Sequence, residues 1–147
     1  MSIIQETVEV NCPADQVFAY VSDAKSWPKW HLSMLEASQT SPGKIGIGAT
    51  CGGANKVLGL RMPWTSKITE YEQDKKWQET IVSGSTVIEE SVTFDPIEGG
   101  TKLTEVYDMK VGGFLRFMAP MVISSMRKEM KANLTKLKEN LEAQVQN

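Results

Sequence analysis

The sequence has few of the residues from which a function is most easily recognised. Its 147 residues include two cysteines and one histidine, and 16 basic against 18 acidic residues give a net charge of −2. Cys12 and Cys51 lie far apart without metal-site spacing, so both are expected to be reduced thiols. No basic stripe is present that could bind a phosphate backbone, so nucleic acid is not an expected partner.

Long apolar runs and catalytic motifs are also missing. No stretch approaches the roughly 20 apolar residues of a membrane-spanning helix, and the first ten residues lack the basic and apolar regions of a signal peptide. We therefore expect a cytoplasmic protein without stable membrane insertion. His31 has no second His or Cys with which to share a metal, and no serine lies in a GxSxG motif. Neither a metal nor a cofactor is expected.

Hydrophobic periodicity predicts one α+β domain over residues 1–147. The alternation over 3–11 indicates a strand, the apolar spacing over 13–22 indicates a short helix, and Pro28 suggests a second helical turn that ends near His31. Strand candidates separated by turn residues then follow without intervening helices, which is typical of an antiparallel meander. These candidates are 49–57, 63–72, 76–83, 86–95 and 102–111.

After Gly112-Gly113 the apolar period becomes helical and predicts one long helix, roughly 113–145. Pro120 either lies in its early turns or kinks it. Four methionines are predicted to share one side of this helix, as part of a packed core or as an adaptable cavity wall: Met118, Met121, Met126 and Met130. A curved antiparallel sheet of about six or seven strands, wrapped around this helix and closed at one end by the short helices, accounts for the order of elements.

The segment SWPKWH holds two of the four tryptophans and the only histidine. Aromatic side chains lie mostly in cores, so the sequence favours a structural corner here. The functional alternative is that Trp27, Trp30 and His31 line the mouth of a cavity.

Strand parity places one glutamate on the more apolar face of each of three consecutive strands. A two-residue Gly84-Ser85 turn would set Glu79 across from Glu90, and pairing Phe94 with Leu103 would bring Tyr107 beside Glu90 and Glu105 beside Val92. Such a cluster could anchor a ligand's hydroxyl or amine, or act as an acid/base pair. The sequence favours a plainer alternative, in which a three-residue turn or a bulge shifts the pairing, or the glutamates reach solvent at a sheet edge. Arg61 is a possible counter-ion.

The order and spacing of several segments resemble the START/polyketide-cyclase superfamily, also called the helix-grip or SRPBCC fold. The resemblance covers nearly the whole chain and implies a deep apolar cavity between the sheet and the long helix. Family members bind lipids, sterols, hormones, quinones or polyketides, and some are enzymes. The segments that carry the resemblance are VNCPADQVFAYVSDAKSWPKW, PGKIGIGAT, MPWTSKITEYEQDKKW, FDPIEGGTKLTEVYDMK and the closing LTKLKENLE.

Three functions are compatible with this resemblance. The first is binding of a hydrophobic small molecule (a lipid, a quinone, or a sterol-like or polyketide-like compound), the second is a cyclase or dehydratase, and the third is a protein-interaction domain without a ligand. The candidates for catalysis are Glu79, Glu90, Glu105 and Tyr107. The expected ligand-binding residues are Trp30, Trp64, Ile68, Trp77, Ile81, Ile88, Glu90, Val92, Glu105, Tyr107, Met109, Phe114, Phe117, Met118, Met121 and Met126.

Overall fold

The computed structural model describes residues 2–145, apart from the side chains of residues 114, 115 and 145. Seven strands form one antiparallel sheet in the order β1-β7-β6-β5-β4-β3-β2. Alternating buried and exposed residues along the strands give the sheet one apolar concave face. The strands are β1 Ser2–Val10, β2 Met34–Gln39, β3 Thr50–Val57, β4 Leu60–Glu72, β5 Lys76–Ser83, β6 Thr86–Ile97 and β7 Gly100–Lys110.

The sequence prediction missed the edge strand β2, because MLEASQ has no clear apolar alternation. Its pairing with β3 depends on Gly53, where a β-carbon would overlap the backbone oxygen of Glu36 and lie 2.7 Å from the Trp64 ring. The register shifts between Met34 and Glu36 on β2 and between Ile68 and Glu70 on β4. Such bulges bend a sheet, and they help it to curve around the helix.

Within residues 2–145, three α-helices and two 3-10 turns complete the fold. Helix α1 spans Ala14–Val21, a 3-10 turn Ala24–Ser26 leads into α2 Trp27–Trp30, and a second 3-10 turn Gly113–Met118 precedes α3 Ala119–Val145. The prediction of an α-helix from residue 113 is therefore wrong for its first six residues. Pro120 lies in the first turn of α3, where its missing N–H forgoes no helical hydrogen bond.

Helix α3 packs its C-terminal half into the concave face of the sheet. The side chains buried in this half of the helix include Leu134, Leu137 and Leu141. They belong to one apolar cluster with Val17 and Phe18 of α1. Burying each leucine contributes about 1.5–3 kcal/mol. The prediction that this part of α3 belongs to the core is confirmed for Leu134, Leu137 and Leu141, which share a buried cluster with residues of α1; Val145 lies outside the described side chains.

Polar side chains of α3 also hold the short helices in place. Asn140 donates hydrogen bonds to the Tyr20 hydroxyl and the Lys29 carbonyl, both at 3.1 Å. Asn133 accepts from the Leu32 N–H at 2.9 Å, and Glu129 accepts from the next N–H along at 3.1 Å. The segment after α2 is thus fixed to the long helix. In the part of the chain that the structure describes, no helix combines the length and apolarity needed to cross a membrane.

Candidate functional site

A cavity of about 150 Å³ lies between the concave face of the sheet and the first half of α3. This volume is well above the roughly 10–15 Å³ that one water molecule needs. The cavity wall includes strand ends beside the β3–β4 turn, at Val57 and Met62, and beside the β5–β6 turn, at Ser83 and Thr86. Helix α3 contributes Val122 to the same wall. The cavity therefore extends from the packed core to the end of the sheet where α3 begins.

All four tryptophans of the chain lie on the cavity wall. The ring of Trp27 lies 6.1 Å from that of Trp64 and 5.4 Å, edge to face, from that of Trp77. The indole N–H of Trp27 donates to the Val21 carbonyl at 2.6 Å, whereas those of Trp30 and Trp77 are buried without a hydrogen-bond partner in the described protein. The SWPKWH segment is both a structural corner, as the sequence favours, and part of this wall.

His31 ends α2 and stacks on Trp30, with ring centres 3.8 Å apart. Its Nδ1 lies 3.4 Å from Nδ2 of Asn133 on α3. Burial lowers the pKa of His31 to about 3, so the ring is neutral at physiological pH. His31 thus contributes a neutral imidazole to the cavity rather than a positive charge.

Three glutamates form the polar part of the wall, and the geometry differs from the plainer alternative that the sequence favours. The β5–β6 turn has two residues, and Glu79 pairs directly with Glu90. Glu90 also pairs with Tyr107, and Glu105 pairs with Val92, so the predicted register of both hairpins is confirmed. Glu79 and Glu90 are 4% exposed and Glu105 is 1% exposed. We call Glu79, Glu90 and Glu105 the carboxyl cluster.

Burial raises the pKa of every member of the carboxyl cluster. For Glu79 and Glu90 the pKa is well above 4.5, because burial is reinforced by the charge of a neighbouring carboxylate: Glu90 acts on Glu79, and Glu105 acts on Glu90. For Glu105 burial raises the pKa to about 7. Burial, with the nearby carboxylates, raises the pKa of Tyr107 as well, so its phenol stays protonated. The cluster is therefore largely protonated near neutral pH, where its members can donate as well as accept hydrogen bonds.

No positive side chain compensates the cluster within the described residues. Arg61, the candidate counter-ion, lies on the surface and pairs with Glu36 at 2.6 Å, so that expectation is wrong. One oxygen of Glu79 and both oxygens of Glu105 are buried without a hydrogen-bond donor from outside the cluster. Within the cluster, Glu90 interacts with the carboxyl groups of both Glu79 and Glu105. In the described part of the chain no three His, Cys, Asp or Glu side chains are placed to ligate one metal ion.

The structure places most of the expected ligand-binding residues on the cavity wall. Those that line it are Trp30, Trp64, Trp77, Ile81, Ile88, Glu90, Val92, Glu105, Tyr107, Met109 and Met126. Glu79, which the sequence proposes only for catalysis, lines it too. Phe114 lies outside the described side chains.

Four expected lining residues lie elsewhere, for three different reasons. Ile68 is buried in the packed core between sheet and α1 rather than at the cavity. Phe117 is 80% exposed and Met118 is half-buried away from the cavity, because both belong to the 3-10 turn and do not follow the α-helical period. Met121 is 53% exposed, since five residues of helix turn it about 140° away from Met126. The four methionines therefore do not share one side.

Sequence reasoning also missed several wall residues. Asn55 is one of these, and it accepts from the indole N–H of Trp64 at 2.9 Å. It lies on β3 among glycines, where no apolar alternation marks the concave face. The helical period around Met126 could have identified Val122, which lies one turn earlier. The other missed residues are Val21, Met34, Val57, Met62, Ser83 and Thr86.

Comparison with known families identifies the chain's relatives. A family model described as polyketide cyclase / dehydrase and lipid transport matches residues 1–142. The chain belongs to this family. The match includes every strand and most of α3, so it covers the cavity and the carboxyl cluster. No curated protein matches the chain.

Solved structures show the same fold as this family member. The protein TTHA0849 from Thermus thermophilus has 14% identity and a TM-score of 0.81, with 97% of this chain and 98% of that one covered. A START superfamily protein from Mycobacterium smegmatis has 16% identity and a TM-score of 0.79, covering 96% and 97%. The ZhuI aromatase/cyclase from a Streptomyces species has 15% identity and a TM-score of 0.80, covering 98% and 95%. At these identities the likeness establishes the helix-grip fold alone.

Proposed function

We propose that this protein binds a hydrophobic small molecule, such as a lipid, a quinone, or a sterol-like or polyketide-like compound, in the cavity between sheet and α3. One observation carries the proposal: an apolar, tryptophan-lined cavity holds buried carboxyl oxygens that have no hydrogen-bond donor outside the carboxyl cluster among the described residues. A few convergent polar groups on an apolar wall are typical of small-molecule sites, where they orient the ligand.

The aromatic wall supplies the area for binding. Trp27 contacts both Trp64 and Trp77, and all three rings line the same cavity. An aromatic ring contributes substantial apolar area on contact with a ligand. Ile88 and Met126 face the cavity from the sheet and from α3. Methionine adapts its shape at low cost, which suits a wall that closes on an irregular molecule.

The carboxyl cluster supplies the anchor. A protonated carboxyl donates one hydrogen bond and accepts others, so it can hold a hydroxyl, carbonyl or amine group of the ligand. Leaving such groups unpaired in an apolar cavity costs about 1–3 kcal/mol each, and a ligand that pairs them recovers that free energy. The packed core below the cavity alone would not require these groups, which favours a ligand-binding role over an interaction domain without a ligand.

Native mass spectrometry of the protein purified gently from its own cells tests this proposal. The bound fraction is then extracted into organic solvent and identified. We expect a hydrophobic compound at close to one molecule per chain. A variant with Trp77→Ala should retain less of that compound, whereas Thr69→Ala on the exposed face of β4 should retain as much as the parent. Loss from both variants alike, or retention by both, would contradict binding at this cavity.

A second candidate function is catalysis by the carboxyl cluster, as in a cyclase or dehydratase. The pKa of Glu105, raised to about 7 by burial, favours it, because a group that gains and loses protons near neutral pH can act as a general acid or base. Glu90→Gln separates the two functions. An enzyme should lose turnover of the extracted compound or its precursor while still binding it, whereas a carrier should change only in affinity.

A further inference from the structure

Acidic groups dominate the ionisable side chains that line the cavity. The carboxyl cluster contributes three acidic groups, and no lysine or arginine is among the described residues that line the cavity. The single histidine on the wall is held neutral by burial. Ionising a buried carboxyl is costly when no counter-charge lies nearby, so a ligand that supplies a positive charge gains the most from this arrangement.

The three carboxyl groups are also close enough to act on one ligand group. Glu79 and Glu90 are direct cross-strand partners, and Glu105 lies one residue pair further along, beside Val92. Side chains on one face of neighbouring strands lie about 4.5–8 Å apart, which is within reach of one bound nitrogen. The buried oxygens of Glu79 and Glu105 that lack a donor outside the cluster belong to opposite sides of this group, with Glu90 between them.

The aromatic rings complete an environment suited to a cation. Trp77 precedes Glu79 by two residues on the same face of β5, and Tyr107 pairs with Glu90. A cation within about 6 Å of an indole face is attracted by the electrons of the ring, and tryptophan gives the strongest attraction of the aromatic side chains. Carboxylates add charge-assisted hydrogen bonds to an N–H donor.

We propose that the ligand of this cavity carries a positively charged nitrogen, an ammonium group on an apolar body, which the carboxyl cluster binds and the tryptophan wall surrounds. The proposal rests on the proposed function and names the chemical class of its ligand. When the ammonium binds, a protonated member of the cluster releases its proton to solvent and becomes the carboxylate partner of the nitrogen. Charge is thereby balanced inside the cavity, and up to one proton leaves for each ligand bound.

Five other titratable groups face the cluster or its immediate surroundings: Glu6 on β1, His31 after α2, Cys51 on β3, Tyr107 on β7 and Glu129 on α3. None of them supplies a positive charge at neutral pH: the imidazole is neutral, burial raises the pKa of Cys51 to about 11, and the others are acids. The Gln variants of the carboxyl cluster therefore decide whether proton release between pH 6 and 8 comes from its members.

Three probes with the same eight-carbon chain test the proposal: n-octylamine, 1-octanol and octanoate. Binding is followed by tryptophan fluorescence, since all four tryptophans line the cavity. We expect the amine to bind roughly tenfold more tightly than the alcohol at pH 7, and the acid to bind most weakly. Calorimetry in two buffers of different ionisation enthalpy should show proton release with the amine and none with the alcohol. The preference for the amine should grow as the pH rises from 6 to 8.

Variants identify the groups responsible. Glu90→Gln and Glu105→Gln keep the side-chain size but cannot become carboxylates, so each should reduce both the amine's advantage over 1-octanol and the proton release that accompanies amine binding. Glu89→Gln, on the exposed face of the same strand as Glu90, should behave like the parent. Equal binding of amine and alcohol, or tighter binding of octanoate, would overturn the cationic ligand and leave the proposed function standing. Absence of binding by all three probes would overturn both.

Discussion

The carboxyl cluster should make this protein less stable as the pH rises towards neutrality. A carboxyl whose pKa is raised by folding stays protonated in the folded chain at a pH where the unfolded chain has already lost the proton. Its contribution to stability is therefore complete below the unfolded pKa and is lost as the pH rises through the folded pKa. For Glu105 these limits are 4.5 and about 7. At about 1.36 kcal/mol per pKa unit, this loss amounts to roughly 3 kcal/mol.

The other two members of the cluster add to the same trend. The pKa values of Glu79 and Glu90 are also raised by burial, so each further lowers the free energy of unfolding as the pH increases from 5 to 8. Replacing Glu105 by Gln removes one of the three contributions without removing the hydrogen-bonding shape of the side chain. The variant should match the parent near pH 4.5 and exceed it by about 3 kcal/mol at pH 8.

Urea unfolding at half-unit intervals from pH 4.5 to 8 measures this directly, with the free energy of unfolding taken from each curve. Glu89→Gln is the matched control, because Glu89 lies on the exposed face of β6 and accepts a hydrogen bond from Thr80 at 2.7 Å. It should keep the pH dependence of the parent. Burial of His31 acts in the opposite direction up to about pH 6.5, because the unfolded chain binds a proton that the folded ring excludes. The comparison between variant and parent is therefore decisive, and the reasoning is refuted if Glu105→Gln follows the parent over the whole range.

Three further predictions concern the fold around the cavity. Leu137→Ala should lower the free energy of unfolding in urea by about 2–5 kcal/mol, because this side chain is fully buried, whereas exposed Met121→Ala should change it by less than about 0.5 kcal/mol; equal losses would show that the two faces of α3 are misassigned. Gly112→Ala should lower the melting temperature measured by circular dichroism, since a β-carbon there overlaps the backbone of the β5–β6 turn, and Gly46→Ala, whose β-carbon meets nothing within 4 Å, should leave it unchanged; the opposite order would contradict the packing of this connection. Cys51 should react with iodoacetamide at pH 8 about a hundredfold more slowly in the folded than in the unfolded protein, because burial raises its pKa from 9.0 to about 11. Peptide mass spectrometry measures the rate, and rapid alkylation of the folded chain would contradict the burial of this thiol.

The sequence predicted those parts of the site that depend on strand parity. A strand alternates its faces with a period of two residues, so Trp77, Glu79 and Ile81 had to share a face once β5 was recognised. The turn at Gly84-Ser85 then determined the register with β6. The order of elements, together with the resemblance to a known superfamily, gave the fold and the place of the cavity.

Other features could not be predicted because they depend on contacts between distant segments. The edge strand β2 has little apolar alternation in its sequence. It pairs with β3 because Gly53 of β3 leaves room for the backbone of β2 to approach closely. The 3-10 turn before α3 follows from local geometry that the apolar period does not encode, and for this reason the positions of Phe117 and Met118 were predicted wrongly. The sequence also could not predict whether Arg61 pairs with the carboxyl cluster, because the burial of a charged side chain depends on the curvature of the whole sheet.

The indole ¹H–¹⁵N resonances of the protein provide the most direct test of ligand binding in this cavity. All four tryptophans line it, and the N–H groups of Trp30 and Trp77 have no partner in the described protein, so a ligand should shift their signals most. The account predicts saturable shifts on titration with 1-octanol or n-octylamine, and weaker ones in an Ile81→Phe variant that narrows the cavity. Indole signals that stay unchanged at saturating probe, or that shift equally in the variant, would contradict it.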